Sequence, residues 1–194
     1  MLTGPIQSIL IILALVVYYL LDTWLMKQYS PNRKLTESRD TVNTPVTLGA
    51  VALMVAQPIW MPWLGLRVPG WAGGGMQALG VVCLIGAFAL MVWVRRHLQD
   101  LFSEKVELQP GHHLVNTGPY TFVRHPLYTA FFMIGLGLLL ITPAIIELAL
   151  VGFIFWHFSR LATAEEALLS AQIPGYSAYM TMTPRFFPAI GRKV

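Results

Sequence analysis

Charge and cysteine are both scarce in this sequence. Only 11% of the 194 residues are Asp, Glu, Lys or Arg, whereas 56% are hydrophobic and the mean hydropathy is +0.61. This composition is too apolar for an ordinary soluble protein, and the length suits one domain. The single cysteine, Cys83, excludes an intramolecular disulfide and any metal site built from a cysteine cluster.

Charge is absent altogether from three long runs, which cover residues 1–21, 41–66 and 68–94. Each run exceeds the roughly 20 residues that a helix needs to cross about 30 Å of hydrocarbon. Residues 125–159 contain only one residue among Asp, Glu, Lys and Arg, namely Glu147, and are too long for one span. We therefore expect five transmembrane helices in an all-α, polytopic membrane protein.

The break between the fourth and fifth spans is predicted at Thr142-Pro143. A Thr followed by a Pro is a good helix start, with Thr142 as the cap and Pro143 in the first turn. Glu147 would then lie near the positive end of the helix dipole. We expect a single membrane domain over residues 1–194, with three helices in 1–94 and the connector, the last two helices and the tail in 95–194.

The basic residues are distributed asymmetrically between the predicted loops. Five spans place twelve of the thirteen Lys and Arg residues on one side and only Arg67 on the other. The positive-inside rule then predicts an outer N-terminus and a cytoplasmic C-terminus. Because the basic residues are dispersed and no recognition motif is present, we expect no nucleic-acid partner.

The connector that follows Arg95 is long for a loop between helices. Its apolar residues are spaced as one stripe of an interfacial helix: Leu98, Leu101, Phe102, Val106 and Leu108. Gly118-Pro119-Tyr120 should turn the chain back to the bilayer, and His125-Pro126 should open the fourth span. On the other side of the membrane, residues 70–75 are glycine-rich and predict a flexible loop.

Each polar residue near this connector has an ordinary interpretation when taken alone. Arg124 suits a snorkelling interface residue, His112 and His113 suit an exposed loop rather than a metal site, and Tyr120 and Tyr128 suit an aromatic belt. These interpretations leave the clustering of the residues at one end of the last two helices unexplained. Ionisable groups gathered at a membrane edge indicate a functional site.

The motifs of the C-terminal half follow one another in the order His113-Leu114-Val115, Gly118-Pro119-Tyr120, Arg124-His125-Pro126-x-Tyr128, Glu165-Glu166, Gly175-Tyr176-x-x-Tyr179 and Pro184-Arg185-Phe186-Phe187-Pro188. This order resembles that of the integral-membrane methyltransferases, which include isoprenylcysteine carboxyl methyltransferase and the phospholipid N-methyltransferases. The resemblance covers about residues 102–188. The N-terminal spans match only as hydrophobic helices.

The resemblance implies S-adenosylmethionine as the methyl donor, bound without a soluble Rossmann domain, and no G-x-G-x-x-G motif follows a strand here. It implies a cofactor site at His112, His113, Leu114, Val115, Gly118, Tyr120, His125, Pro126, Leu127, Tyr128, Glu165 and Glu166. His125 would donate to the cofactor carboxylate, and Glu165 or Glu166 would accept from its amine or ribose. Tyrosine faces would stabilise the sulfonium, and leucine and valine side chains would line a slot for the adenine.

One position departs from the family pattern. Relatives commonly carry an Arg about one turn before the acidic pair, and Ala162 is found there. Arg160 and Arg185 remain as candidates to meet the methyl acceptor, although helical geometry points Arg160 elsewhere. A carboxylate acceptor needs no general base, so no catalytic residue is assigned and no metal is expected.

The favoured acceptor is the α-carboxylate of a C-terminal isoprenylcysteine, reached from a prokaryotic cell membrane with the site facing the cytoplasm. An alternative within methyl transfer is the amine of phosphatidylethanolamine. Some membrane sterol reductases carry a similar Arg-x-Pro-x-Tyr stretch and use NADPH, which gives a second alternative. The third alternative is a membrane scaffold without catalysis.

Overall fold

The computed structural model describes residues 2, 4–29, 44–66, 68–98 and 114–189. Six helices follow one another in this part of the chain: α1 (Pro5–Tyr29), α2 (Thr44–Trp60), α3 (Gly70–Leu98), α4 (Pro126–Ile141), α5 (Ile145–Gln172) and α6 (Tyr176–Met182). Short 3-10 turns occupy Pro62–Leu64 and Gly118–Thr121. Within the described ranges no strand forms beyond one isolated bridge between Gly65 and Ala144. The all-α expectation is confirmed.

Within the described residues, three helices are long and apolar enough to cross a bilayer: α1, α3 and α5. The shorter helix α4 is also apolar. Outward-facing side chains on α1 include Ile9, Leu13 and Leu20, which are 55–61% exposed. Such a surface suits lipid rather than water, because exposed apolar patches of this extent are rare on soluble proteins. The chain is an integral, multi-pass membrane protein.

The helices differ in extent from the charge-free runs. Helix α1 continues past residue 21 to Tyr29, and α3 continues past residue 94 to Leu98. The flexible loop expected at residues 70–75 is wrong, because these residues form the first turns of α3. A backbone near lipid must satisfy its own hydrogen bonds, which favours helix even for glycine. The stripe expected up to Leu108 lies outside the described residues apart from Leu98.

The chain does break between α4 and α5, at residues 142–144, as predicted. The predicted capping role of Thr142 is wrong, since Thr142 ends α4 and Ala144 precedes α5 without a side-chain cap. The connector is instead fixed by backbone pairing, in which the Leu66 N–H donates to the Pro143 carbonyl at 2.7 Å. Glu147 lies in the first turn of α5, as expected, and is buried.

Helices α3 and α4 pack backbone against backbone. A Cβ added to Gly80 would lie 2.7 Å from the Gly137 carbonyl oxygen, and one added to Gly137 would lie 2.9 Å from the Gly80 carbonyl oxygen. Small residues allow this close approach, which dispersion then stabilises. At the end of α4 the Ile141 carbonyl accepts hydrogen bonds from the amides of Gln7 and Gln77, at 3.1 and 2.9 Å. Three helices are thereby joined at one point.

The C-terminal segment folds back on the start of α4. Gly175, with φ of +84°, begins the turn into α6 in a conformation that glycine adopts readily. After α6, the N–H of Arg124 donates to the Pro184 carbonyl at 2.8 Å, and the N–H of His125 donates to the Arg185 carbonyl at 3.0 Å. The Thr129 hydroxyl donates to the Phe186 carbonyl at 2.7 Å. This return places the tail beside α4 and α5.

Candidate active site

Four segments meet at the end of the bundle opposite the α4–α5 connector. They are the 3-10 turn at Gly118–Thr121, the start of α4, the last third of α5, and α6 with the tail behind it. Pro126 occupies the first turn of α4, as predicted, which is favourable because proline has no N–H to lose there. His125 is therefore the N-cap residue of α4, and its side chain faces α5.

Glu166 is surrounded by cations. Its Oε1 accepts hydrogen bonds from Arg124 Nε at 2.9 Å, His125 Nε2 at 3.0 Å and Arg185 Nε at 3.1 Å. Its Oε2 pairs with Arg185 Nη2. The Glu166 side chain is only 3% exposed. A carboxylate so buried would be costly without partners, and these contacts satisfy both oxygens.

Glu165 has a different environment. It accepts a hydrogen bond from the Tyr128 hydroxyl at 2.5 Å, and its Oε2 lies 3.3 Å from His125 Nδ1. No arginine contacts it among the ion pairs of the described residues, and its side chain is 23% exposed. Glu165 is thus the more accessible carboxylate of the pair.

His125 lies between the two carboxylates. Both ring nitrogens face a glutamate, and the ring stacks on Tyr128 with centroids 5.3 Å apart and planes within 4°. Burial lowers the pKa of His125, but the hydrogen bonds to Glu165 and Glu166 outweigh burial and leave the pKa raised. The folded structure therefore stabilises the imidazolium form of His125 relative to that of an exposed histidine.

Three tyrosines border the acidic pair on the side of α6. The Tyr179 hydroxyl donates to the Tyr120 carbonyl at 2.6 Å, and the rings of Tyr176 and Tyr179 meet edge to face with centroids 5.7 Å apart. Burial, reinforced by nearby Glu165, raises the pKa of Tyr120, and burial raises the pKa of Tyr179 to about 12. All three phenols stay neutral at physiological pH and present polarisable ring faces.

An apolar aromatic cluster continues from the acidic pair into the bundle. Phe132 is the centre, with ring centroids 5.1 Å from Phe155 and 5.0 Å from Phe186. Ala162, at the position where relatives carry an Arg, is fully buried in this cluster. A polar end and an apolar interior thus meet at α5.

The structure brings most of the predicted site residues together. Those at or beside the acidic cluster are Tyr120, His125, Pro126, Tyr128, Glu165, Glu166 and Arg185. Gly118 lies in the same 3-10 turn as Tyr120 and contacts His97. Leu114 packs on Tyr176 and Tyr179. Val115 follows Leu114 in the chain, Leu127 follows Pro126, and both side chains are half-buried. Arg160 is not brought in, since it is exposed and its guanidinium lies over Trp156, 5.3 Å from the ring centroid. His112 and His113 lie outside the described residues.

Sequence reasoning missed the role of Arg124, for which an interface position alone was the ordinary interpretation. Its side chain is 10% exposed, and besides Glu166 it donates to the carbonyls of Met180, at 2.9 Å, and Thr183. Arg124 therefore ties α5 to the end of α6. The position of Arg124 inside the Arg124-His125-Pro126 motif was the feature of the sequence that could have indicated this role. Among the described residues, no group of three His, Cys, Asp or Glu side chains is arranged to hold a metal ion.

An apolar helical bundle with an ionisable cluster at one end defines a polytopic membrane protein with a site at the membrane edge. Residues 78–170 match the sequence profile of the isoprenylcysteine carboxyl methyltransferase family. This match covers just under half of the chain, which is thus similar to that family over residues 78–170. The matched region includes α4 and the acidic pair on α5.

Three curated relatives match part of the chain. The protein-S-isoprenylcysteine O-methyltransferase of Schizosaccharomyces pombe is 30% identical over 119 residues, which cover 59% of this chain and 49% of that protein. The nickel-cobalt-cadmium resistance protein NccN of Alcaligenes xylosoxydans xylosoxydans is 28% identical over 121 residues, covering 62% and 53%. The cobalt-zinc-cadmium resistance protein CzcN of Cupriavidus metallidurans is 32% identical over 78 residues, covering 40% and 36%. The chain spans about half the length, or less, of these relatives.

A solved structure has the same fold. The eukaryotic intramembrane Ras methyltransferase, isoprenylcysteine carboxyl methyltransferase, superposes with a TM-score of 0.71 at 20% sequence identity. The alignment covers 95% of this chain and 68% of that chain. The likeness extends to the N-terminal helices, which sequence motifs alone did not connect to the family.

Proposed function

We propose that this protein transfers a methyl group from S-adenosylmethionine to a lipid-linked acceptor, with the α-carboxylate of a C-terminal isoprenylcysteine favoured. The observation that carries the proposal is the convergence of Tyr120, His125, Tyr128 and Glu165 at one end of the bundle, largely inside the family-matched region. The Schizosaccharomyces pombe relative, named as an isoprenylcysteine O-methyltransferase, supports the choice of acceptor.

The residues at this end fit the chemistry of S-adenosylmethionine. The ammonium and ribose hydroxyls of the cofactor need an acceptor, and Glu165 is the carboxylate that the arginines leave accessible. Its sulfonium needs electron-rich faces, which the neutral rings of Tyr120, Tyr176 and Tyr179 provide. His125 would then act mainly by orienting Glu165, because both of its nitrogens face carboxylates.

Bound S-adenosylmethionine would supply a methyl group already activated by its sulfonium leaving group. An ionised carboxylate attacks without losing a proton. The protein therefore needs to position the two substrates, exclude water from them and neutralise charge, rather than remove a proton. Arg185 would meet the acceptor, and its 34% exposed side chain at the edge of the acidic cluster supports this role. The aromatic cluster around Phe132 offers apolar surface for a lipid tail.

The twelve-to-one distribution of basic residues supports a site that faces the cytoplasm, where the soluble donor is found. We infer a prokaryotic cell membrane as the location. A lipid-linked acceptor would enter from the bilayer and the donor from the water, so the site would need two entrances.

The acceptor class is tested by incubating membranes that contain the protein with methyl-labelled S-adenosylmethionine and a farnesylated thiol acid. We expect label in a product that alkali hydrolyses, as a methyl ester requires. Label in phospholipid head groups, stable to alkali, would instead establish the phosphatidylethanolamine alternative. No transfer to either acceptor, together with tight NADPH binding, would contradict methyl transfer.

The cofactor role of Glu165 is tested by calorimetric titration of purified protein with S-adenosylhomocysteine. We expect Glu165→Gln to weaken binding about 10- to 100-fold, since a charge-assisted hydrogen bond is lost. Glu147→Gln is the matched control, because Glu147 lies on the same helix at its opposite end. Equal affinity for wild-type protein and Glu165→Gln would remove Glu165 from the site.

A further inference from the structure

The last turn of α3 contacts the 3-10 turn that carries Tyr120. His97 Nε2 lies 2.7 Å from the Thr117 hydroxyl oxygen, which is a hydrogen bond. One turn earlier on α3, the Trp93 ring meets the Phe122 ring with centroids 6.2 Å apart. Contacts from α3 therefore reach residues on both sides of the turn at Gly118–Thr121.

The His97 ring also covers Gly118 directly. A Cβ built on Gly118 would lie 2.6 to 2.9 Å from three atoms of the ring, closer than side-chain atoms approach. Gly118 has φ of +59°, in the left-handed region that glycine adopts at low cost. The backbone conformation thus favours glycine at this position, and the His97 ring as placed leaves no room for a Cβ.

The opposite side of the turn is held by α6, through the hydrogen bond from the Tyr179 hydroxyl to the Tyr120 carbonyl. Within the turn, the Thr121 hydroxyl donates to the Gly118 carbonyl at 2.8 Å. The turn is therefore fixed between two helices that are far apart in sequence. Among the described residues, the contacts at the first residues of the turn, Thr117 and Gly118, include those of His97.

We propose that His97 is a positioning residue, which holds the Thr117–Thr121 turn so that Tyr120 faces the cofactor. The identity of the ligand rests on the proposed function, whereas the hold on the turn does not. His97 has no part in the chemistry and acts through Thr117 and Gly118. Loss of the ring would let the start of the turn open and would weaken cofactor binding without unfolding the bundle.

The first experiment measures amide hydrogen exchange in full-length protein purified in detergent. We expect His97→Ala to speed exchange of residues 117–124 about two- to tenfold, the worth of one hydrogen bond, and to leave residues 130–141 unchanged. His97→Gln keeps a group that can bond to Thr117, so it should restore slow exchange. His157→Ala is the control, because its ring contacts Phe153 and Phe158 on α5. Unchanged exchange at residues 117–124 in His97→Ala would overturn the proposal.

The second experiment titrates the same variants with S-adenosylhomocysteine. We expect His97→Ala to weaken binding about two- to tenfold, with His97→Gln and His157→Ala near wild type. In turnover, His97→Ala should raise KM for the donor and leave KM for the acceptor unchanged. Equal loss of binding in His97→Ala and His97→Gln would contradict positioning through Thr117. Failure of the wild-type protein to bind would overturn the proposed function, and hydrogen exchange would still decide the role of His97.

A pair of variants tests the contact with Gly118 separately. Gly118→Ala should speed exchange of the turn, because its methyl group meets the ring and its φ is unfavourable. Adding His97→Ala should recover part of that loss by removing the steric conflict. A double variant whose exchange is as fast as the two single effects combined would show that ring and turn are not in contact.

Discussion

Adjacent residues of the same type have different roles here. Glu166 is enclosed by two arginines and a histidine, whereas Glu165 contacts Tyr128 and His125 and stays accessible. The sequence could place an acidic pair near the membrane edge but could not separate its members, since both lie on the same helix one residue apart. The difference arises from Arg124, which precedes α4, and from Arg185 in the tail, because both contact Glu166.

The protonation of His125 should contribute to stability in a pH-dependent way. Its pKa is raised in the folded protein, so its contribution is complete below the ordinary value of about 6.5 and is lost as pH rises through the folded value. We expect the melting temperature of the wild type to fall more steeply above pH 6.5 than that of His125→Gln. His157→Gln should keep the wild-type slope, and identical slopes for wild type and His125→Gln would contradict the assignment.

Arg124 should be intolerant of lysine. Its guanidinium bonds to Glu166, Met180 and Thr183 at once, and an ammonium group cannot span three acceptors in this arrangement. We expect Arg124→Lys to lose about 2–3 kcal/mol of unfolding free energy, measured as a fall in melting temperature. Arg160→Lys on the exposed face of α5 should change stability by less than about 0.5 kcal/mol. Similar losses in both variants would show that Arg124 is not an anchor.

At the scale of elements, the sequence located helices better than it located their ends. The break between α4 and α5 follows from length, since one helix over residues 125–159 would overshoot the bilayer. The capping of that break did not follow, because Leu66, from a distant loop, supplies the hydrogen bond to Pro143. The glycines at the start of α3 predicted a loop, yet they are helical, because a backbone near lipid must form its own hydrogen bonds.

The close crossing of α3 and α4 should be sensitive to a single methyl group. Gly80→Ala would place its Cβ against the Gly137 carbonyl, where neither backbone can move independently. We expect a loss of about 1–3 kcal/mol, or roughly 2–12 °C in melting temperature for a chain of this size. Gly74→Ala, in the first turns of the same helix with open space around it, should be neutral or slightly stabilising. A neutral Gly80→Ala would contradict the backbone contact.

At the scale of the whole molecule, the charge-free runs and the distribution of basic residues in the sequence predict an orientation. With the predicted five spans, the Gln172 end of α5 would lie on the side that holds twelve of the thirteen basic residues, and Trp63 would lie in a connector on the opposite side. Lys and Arg resist translocation, so the basic side should be cytoplasmic. The acidic cluster would then open to the compartment that contains the donor.

This orientation can be measured by single-cysteine labelling in a Cys83→Ala background. We expect Trp63→Cys to react with a membrane-impermeant maleimide in intact cells. Gln172→Cys should react only after the membrane is permeabilised. The reverse pattern would place the site outside and would remove the supply of soluble donor from the proposed function.

The sequence by itself determined that the chain lies in lipid, that it is helical and in which order its motifs follow one another. A charge-free run of 20 or more residues has few stable structures other than a helix in lipid, so composition alone was sufficient for that conclusion. Tertiary structure decided which polar groups meet. Arg124, His97 and Arg185 acquire their partners only when α6 and the tail return to α4 and when α3 reaches the turn at Gly118. Such contacts join residues up to 59 positions apart, and no local pattern of apolar or polar residues specifies them.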